Sequence, residues 1–124
     1  MLQTNFLRPV LVFTLLCAAI APAAAKPLDP SVSASLATIK RDADAIASGR
    51  YRGKSLQGPA HEIGVAWYNA ARVLTTDGDV LVETKMTNAS IAKFEADWRN
   101  ETRARAEAKD VSARIAELVS AAHS

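Results

Sequence analysis

The chain has 124 residues, with 15 basic and 13 acidic side chains for a formal net charge of +2, 49% hydrophobic residues and one cysteine. That size allows one modest domain. The length, the near-neutral charge and the single thiol together exclude a multidomain enzyme, a disulfide scaffold and a polybasic nucleic-acid binder.

Residues 1–25 read as a secretory signal. Arg8 supplies the positive start, Val10 to Ile20 an apolar run of the right length, and Ala23-Ala24-Ala25 the small residues a signal peptidase inspects. The run is too short for a comfortable transmembrane helix, and Pro22 interrupts it. Cys17 follows the bulky Leu16, a poor setting for lipid attachment. The expectation is therefore a soluble exported protein, periplasmic or extracellular, with residues 26–124 as one helical domain. Those 99 residues have no thiol, and 19 of their 43 hydrophobic residues are alanine. So few large apolar side chains make a thin core. They predict a slender helical structure, or one that buries surface against a partner.

Asp29-Pro30-Ser31 opens the first helix with a capping acid and a proline at the first helical position, where its missing N–H costs nothing. Val32, Leu36, Ile39, Ala43 and Ile46 follow at alternating steps of four and three, one continuous helix face. Gly49 is placed to end it in a left-handed conformation. Residues 49–58, GRYRGKSLQG, form a basic loop without an acid. Gly58-Pro59 then starts a second helix whose apolar face is Ile63, Trp67, Ala70 and Leu74, widened by Ala66 and Val73. Gly64 and the Ala70-Ala71 pair allow another helix to approach closely.

Two patterns compete over residues 73–84. β-Branched runs around Asp77-Gly78 suit a β-hairpin, whereas a long helical face ending at Gly78, with Asp79 capping the next helix, suits a helix–turn–helix. The helical alternative is favoured, because one isolated hairpin is barely stable. From Asn88 to Ala122 there is neither proline nor glycine. Ile91, Phe94 and Trp98 make one apolar cluster, and Val111, Ile115, Leu118 and Ala122 another. Between them, residues 99–110 carry seven charges, several at the favourable i,i+4 spacing. A long helix results that projects or kinks in its charged middle. The fold expected is all-α, a small antiparallel bundle of about three helices with a long or broken C-terminal helix.

Ala66-Trp67-Tyr68-Asn69, followed by Gly78-Asp79, resembles the first helix and turn of a tetratricopeptide repeat, with Trp67, Leu74 and Gly78 at the family's positions. The resemblance covers residues 66–80, while Glu83, Thr87 and Glu95 depart from the pattern that follows. Such repeats bind peptides on a concave surface, so the resemblance implies partner binding.

No set of side chains with a catalytic pattern emerges. His61-Glu62 begins like the zinc-protease helix motif, but Val65 stands where the second histidine belongs. Asp42 and Asp44 point in different directions on one helix, and Asp77-Gly78-Asp79 is too short for a calcium loop. The sequons at Asn88 and Asn100 carry no weight beside a bacterial-type signal. No metal or cofactor is expected.

Two surfaces remain. Arg50, Tyr51, Arg52 and Lys54 combine flexible backbone, cations and an aromatic ring, suited to an anionic small molecule or a lipid headgroup. Tyr68, Phe94 and Trp98 are the candidate partner-binding residues. The expected function is non-enzymatic protein–protein interaction, with another envelope protein or a second copy, in the manner of an adaptor, chaperone or inhibitor. The alternative is an anion- or headgroup-binding module built on the basic loop.

Overall fold

The computed structural model describes residues 28–123; the signal assigned to residues 1–25, with Cys17, lies outside them. Four α-helices carry the fold: α1 (Pro30–Ala47), α2 (Gln57–Leu74), α3 (Leu81–Asp97) and α4 (Glu101–Ala122). Short 3₁₀ turns at Gly53–Leu56 and Gly78–Val80 lead into α2 and α3, and no strand occurs among the described residues. α1 packs on α2 and α4, and α3 on α4 and α2, so the helices close into a ring of antiparallel neighbours. The architecture is an all-α bundle. No helix of the described residues is long and apolar enough to cross a membrane.

α1 forms where its sequence signals place it. Asp29 Oδ1 accepts from the backbone N–H of Ser31 at 2.8 Å, and Pro30 is the first helical residue. Val32, Leu36, Ile39, Ala43 and Ile46 are all buried. Gly49 stops the helix at φ +82°; its N–H reaches the carbonyl of Ile46 at 3.0 Å and that of Arg50 reaches Ala45 at 3.1 Å. Those paired bonds close the last turn and satisfy carbonyls the helix would otherwise leave bare.

Residues 73–84 form a helix–turn–helix, not a hairpin. The cap differs from expectation. Asp77, not Asp79, supplies the side chain, with Oδ1 accepting from the N–H of Asp79 at 3.0 Å, and Gly78 begins the 3₁₀ turn. α2 begins at Gln57, just ahead of Gly58-Pro59, and Val73 is exposed, so it does not widen the apolar face.

The long C-terminal helix is broken in two. Trp98 ends α3, and Asn100 caps α4 by accepting from the N–H of Arg103 at 3.2 Å. The charged half of α4 then lies on the bundle through a stripe one alanine wide, with Ala104 and Ala108 wholly buried below Val111, Ile115 and Leu118. Arginines and glutamates flank that stripe at the surface. Ala43, Ala60 and Ala70 are buried in the same way on α1 and α2. A thin supply of large side chains is thus offset by bringing backbones close. The large ones are concentrated inside: Phe94, Leu36, Ile39, Ile46, Leu56, Ile63, Leu74, Ile91, Ile115 and Leu118 are all fully buried, each contributing about 1.5–3 kcal/mol.

Two outcomes follow for stability. Ala108→Leu forces extra carbons between α4 and its neighbours and costs about 1–3 kcal/mol in urea unfolding, whereas Ala106→Leu on the exposed face of the same helix is near neutral. Asn100→Ala removes the α4 cap and lowers stability by about 1 kcal/mol.

Candidate functional site

The basic loop is built on the helix stop at Gly49. Tyr51 is half-buried and packs against the core, which removes it from the exposed set and makes it the loop's anchor. Ser55 Oγ accepts from the backbone N–H of Arg52 at 2.8 Å and donates to its carbonyl at 2.7 Å, fixing the turn into α2. Arg50, Arg52 and Lys54 are exposed and form no ion pair among the described residues. The guanidinium of Arg105 lies beside Gly49 but is held by Glu101 at 2.7 Å.

A surface groove of about 520 Å³ runs between α2 and the end of α3. Its walls include His61, Val65 and Tyr68 from α2, and Glu95, Trp98 and Arg99 from the other side. Gly64 lets the Glu95 carboxyl lie close against α2, since a Cβ there would come within 3.1 Å of Glu95 Oε1. Deeper in the same seam, Trp67 Nε1 donates to Asn88 Oδ1 at 2.9 Å, which holds α2 to α3. Tyr68 is 66% exposed and Trp98 is half-buried, and each ring carries a cation: Arg72 at 6.0 Å from Tyr68 and Arg99 at 4.7 Å from Trp98. Two of the three residues expected to meet a partner therefore share this groove. Phe94, the third, is wholly buried and serves the core.

The sequence pattern missed one surface. α3 buries two threonines, Thr84 and Thr87, and turns Val82 (66% exposed) and Met86 (41%) outward. Each threonine hydroxyl donates to the carbonyl one turn back, Val80 and Glu83 respectively, at 2.7 Å, so it enters the core without an unpaired polar group. Ala89, Ala92 and Ala96 continue the outer face, with Lys85 and Lys93 beside them and Glu83 and Asp97 along one edge. The signal was present in the sequence as spacing: Val82, Met86, Ala89, Lys93 and Ala96 fall on one stripe, opposite Thr84, Thr87, Ile91 and Phe94.

Other clusters resolve into bundle architecture. Ser112 Oγ donates to Asp44 Oδ1, and Lys40 Nζ donates to Asp44 Oδ2 at 3.1 Å and to Ser112 Oγ at 3.0 Å. The serine bond, more than the lysine, holds the Asp44 carboxyl below its usual range. The trio ties α1 to α4. His61 is exposed, and no group of three His, Cys, Asp or Glu among the described residues is placed to hold a metal. At the opposite end of the bundle a hollow of about 1010 Å³ has Val32, Leu74 and Val80 in its wall and Asp29, Asp77 and Asp79 at its rim. Two of these acids serve as caps, for Ser31 and for Asp79.

The residues that resemble a tetratricopeptide repeat fold as the second half of α2 and the turn after it, with Trp67 and Leu74 buried. The helix pair they belong to is closed by α1 and α4 rather than stacked on a further repeat. No protein-family model, no curated protein and no solved structure matches this chain.

Proposed function

We propose that this chain is an exported, non-enzymatic protein that binds another protein through the α2–α3 side of its bundle. The partner presents an apolar helix flanked by acidic residues. The observation that carries this is the reversal on α3, where valine and methionine face outward while two threonines are buried. Exposed aliphatic residues scattered singly need no explanation, but here Val82 and Met86 continue along α3 as a stripe lined by Ala89 and Ala96. The small residues let a second helix approach closely. α3 carries Glu83, Glu95 and Asp97 as well as two lysines, but Lys93 lies on the stripe with Lys85 beside it, and Arg72 and Arg99 lie over the rings of Tyr68 and Trp98. That arrangement selects an acidic partner and repels a basic one.

The test uses a synthetic amphipathic helix with leucine on one face and glutamate on its flanks, and the same peptide with lysine for glutamate. Titration followed by amide NMR shifts should map the acidic peptide onto Val65, Tyr68, Val82, Met86 and Trp98, with the lysine version at least ten-fold weaker. Val82→Asp with Met86→Asp, at positions already exposed, should weaken binding at least ten-fold without lowering the unfolding temperature. Equal binding of both peptides, no binding, or wild-type affinity in the double variant defeats the proposal.

A second function is favoured by the unpaired cations of the basic loop. Arg50, Arg52 and Lys54 would then hold an anionic headgroup or a free phosphate. Flotation with anionic vesicles and titration with inorganic phosphate separate the two sources, and loss of either in the Arg50→Gln, Arg52→Gln, Lys54→Gln triple variant would support it.

A further inference from the structure

Asp42 lies on the side of α1 that faces α2 and is only 5% exposed. Across the seam stands Glu62 of α2, close enough for the two carboxyls to share a hydrogen bond. A single guanidinium serves both: Arg41 Nη2 is 3.4 Å from Asp42 Oδ1 and 2.6 Å from Glu62 Oε1. The other oxygen, Asp42 Oδ2, is buried and has no donor. Two carboxylates against one cation, with one oxygen dry and unpaired, is an unfavourable ground state. A proton on Asp42 removes the difficulty, because the protonated oxygen then donates to Glu62 and Arg41 balances the one remaining charge. α4 meets the other side of α1, where Lys40 and Asp44 face Ser112, so it takes no part here.

The second hairpin repeats the arrangement. Glu107 of α4 faces Asp97 of α3, and Glu107 Oε2 is buried without a partner. Arg103 Nη1 stands 3.9 Å from Asp97 Oδ1, and Lys93 of α3 is the other cation acting on Glu107. Both pairs join helices that are neighbours in sequence, one in each half of the bundle.

We infer that each hairpin is closed by two carboxyls sharing one proton, a clasp that is tight in mildly acidic solution and loosens as the solution approaches neutrality. Burial is the largest influence on Asp42 and, with the Glu62 charge, pushes it up to about 6, while Glu62 is held low by the hydrogen bond from Asp42. Burial likewise raises Glu107, with Asp97 adding to it. A carboxyl that keeps its proton more tightly when folded gives its full stabilisation below the unfolded value of 3.8 and loses it as pH rises through about 6. Each proton lost in that window raises the unfolding equilibrium constant by up to ten-fold per pH unit.

The test is urea unfolding of the full chain from pH 4.5 to 7.5, for the wild type, Asp42→Asn and Glu107→Gln, with NMR titration of the Asp42 carboxyl carbon in the wild type. The wild-type unfolding constant should rise at least ten-fold between pH 5 and 7.5. Asp42→Asn, whose amide donates to Glu62 without titrating, should be more stable than wild type at pH 7.5, equal to it at pH 4.5, and flatter between; Glu107→Gln should act in the same direction. The Asp42 carbon should titrate near pH 6. A carbon midpoint below 4.5, a flat wild-type profile, or an Asp42→Asn variant destabilised equally at every pH overturns the inference. Should the variants fail to fold, the wild-type carbon titration decides it.

Discussion

Close approach between helices is the constraint on which the rest of this molecule depends. With alanine so large a share of its apolar residues, the chain cannot separate its helices with leucine and phenylalanine throughout. It buries Ala43, Ala60, Ala70, Ala104 and Ala108 instead and lets backbones come near. Nearness has a consequence at the edge of each seam. Polar side chains that a bulkier interface would hold apart are forced into contact there, and each must find a partner or a proton. Ser112, Asp44 and Lys40 solve this with hydrogen bonds between α1 and α4. Ser90 and Asp110 do so at 2.6 Å between α3 and α4. Asp42 and Glu62 have only one arginine between them, which leaves that seam with a buried carboxyl oxygen that has no donor.

α3 is the exception to inward-facing apolarity. Its core face is filled by Thr84, Thr87, Ile91 and Phe94, and the threonines are tolerable only because each hydroxyl is bonded within its own helix. Placing the same valine and methionine inside and the threonines outside would bury more apolar surface at no polar cost. The observed order forgoes that gain, and a docking face for α3 is a physical reason for doing so.

How much of this was legible before the fold depends on the range of the interaction. α1 was read correctly from Asp29 through Gly49, because its cap, periodicity and stop are all local. The α3–α4 break was not placed, although its cause is local too: Asn100 was read as part of a sequon, when a short polar residue followed by Glu101 is also a helix start. Tyr68 and Trp98 were singled out by type, but their meeting in one groove depends on the register of α2 against α3. Phe94 belongs to the core for the same reason that Ile91 does, three residues before it on the same face. The carboxyl pairs were illegible. Asp42 and Glu62 are separated by a helix turn and a loop, and nothing in either neighbourhood says that they meet.

Charge shows the same division between the two sides of the bundle. On α1 and α4 Lys40 pairs with Asp44, Arg105 with Glu101, and Arg114 with Asp110 and Glu117, while Arg41 reaches across to Glu62 of α2 and Arg103 to Asp97 of α3. On α2 and α3, Arg72 rests on a tyrosine ring, Arg99 on a tryptophan ring beyond the helix end, and Lys85 and Lys93 form no ion pair among the described residues. Ion pairs at a surface contribute little to stability, so their distribution says more about what the surface meets than about what holds the bundle together. A side whose charges are already matched offers an incoming protein only the cost of removing water. A side with exposed cations, aromatic rings and small residues offers an acidic partner attraction as well as contact. The apolar reversal of α3 and the exposed cations of α2 and α3 are independent features, and both favour the proposal that a partner docks on these helices.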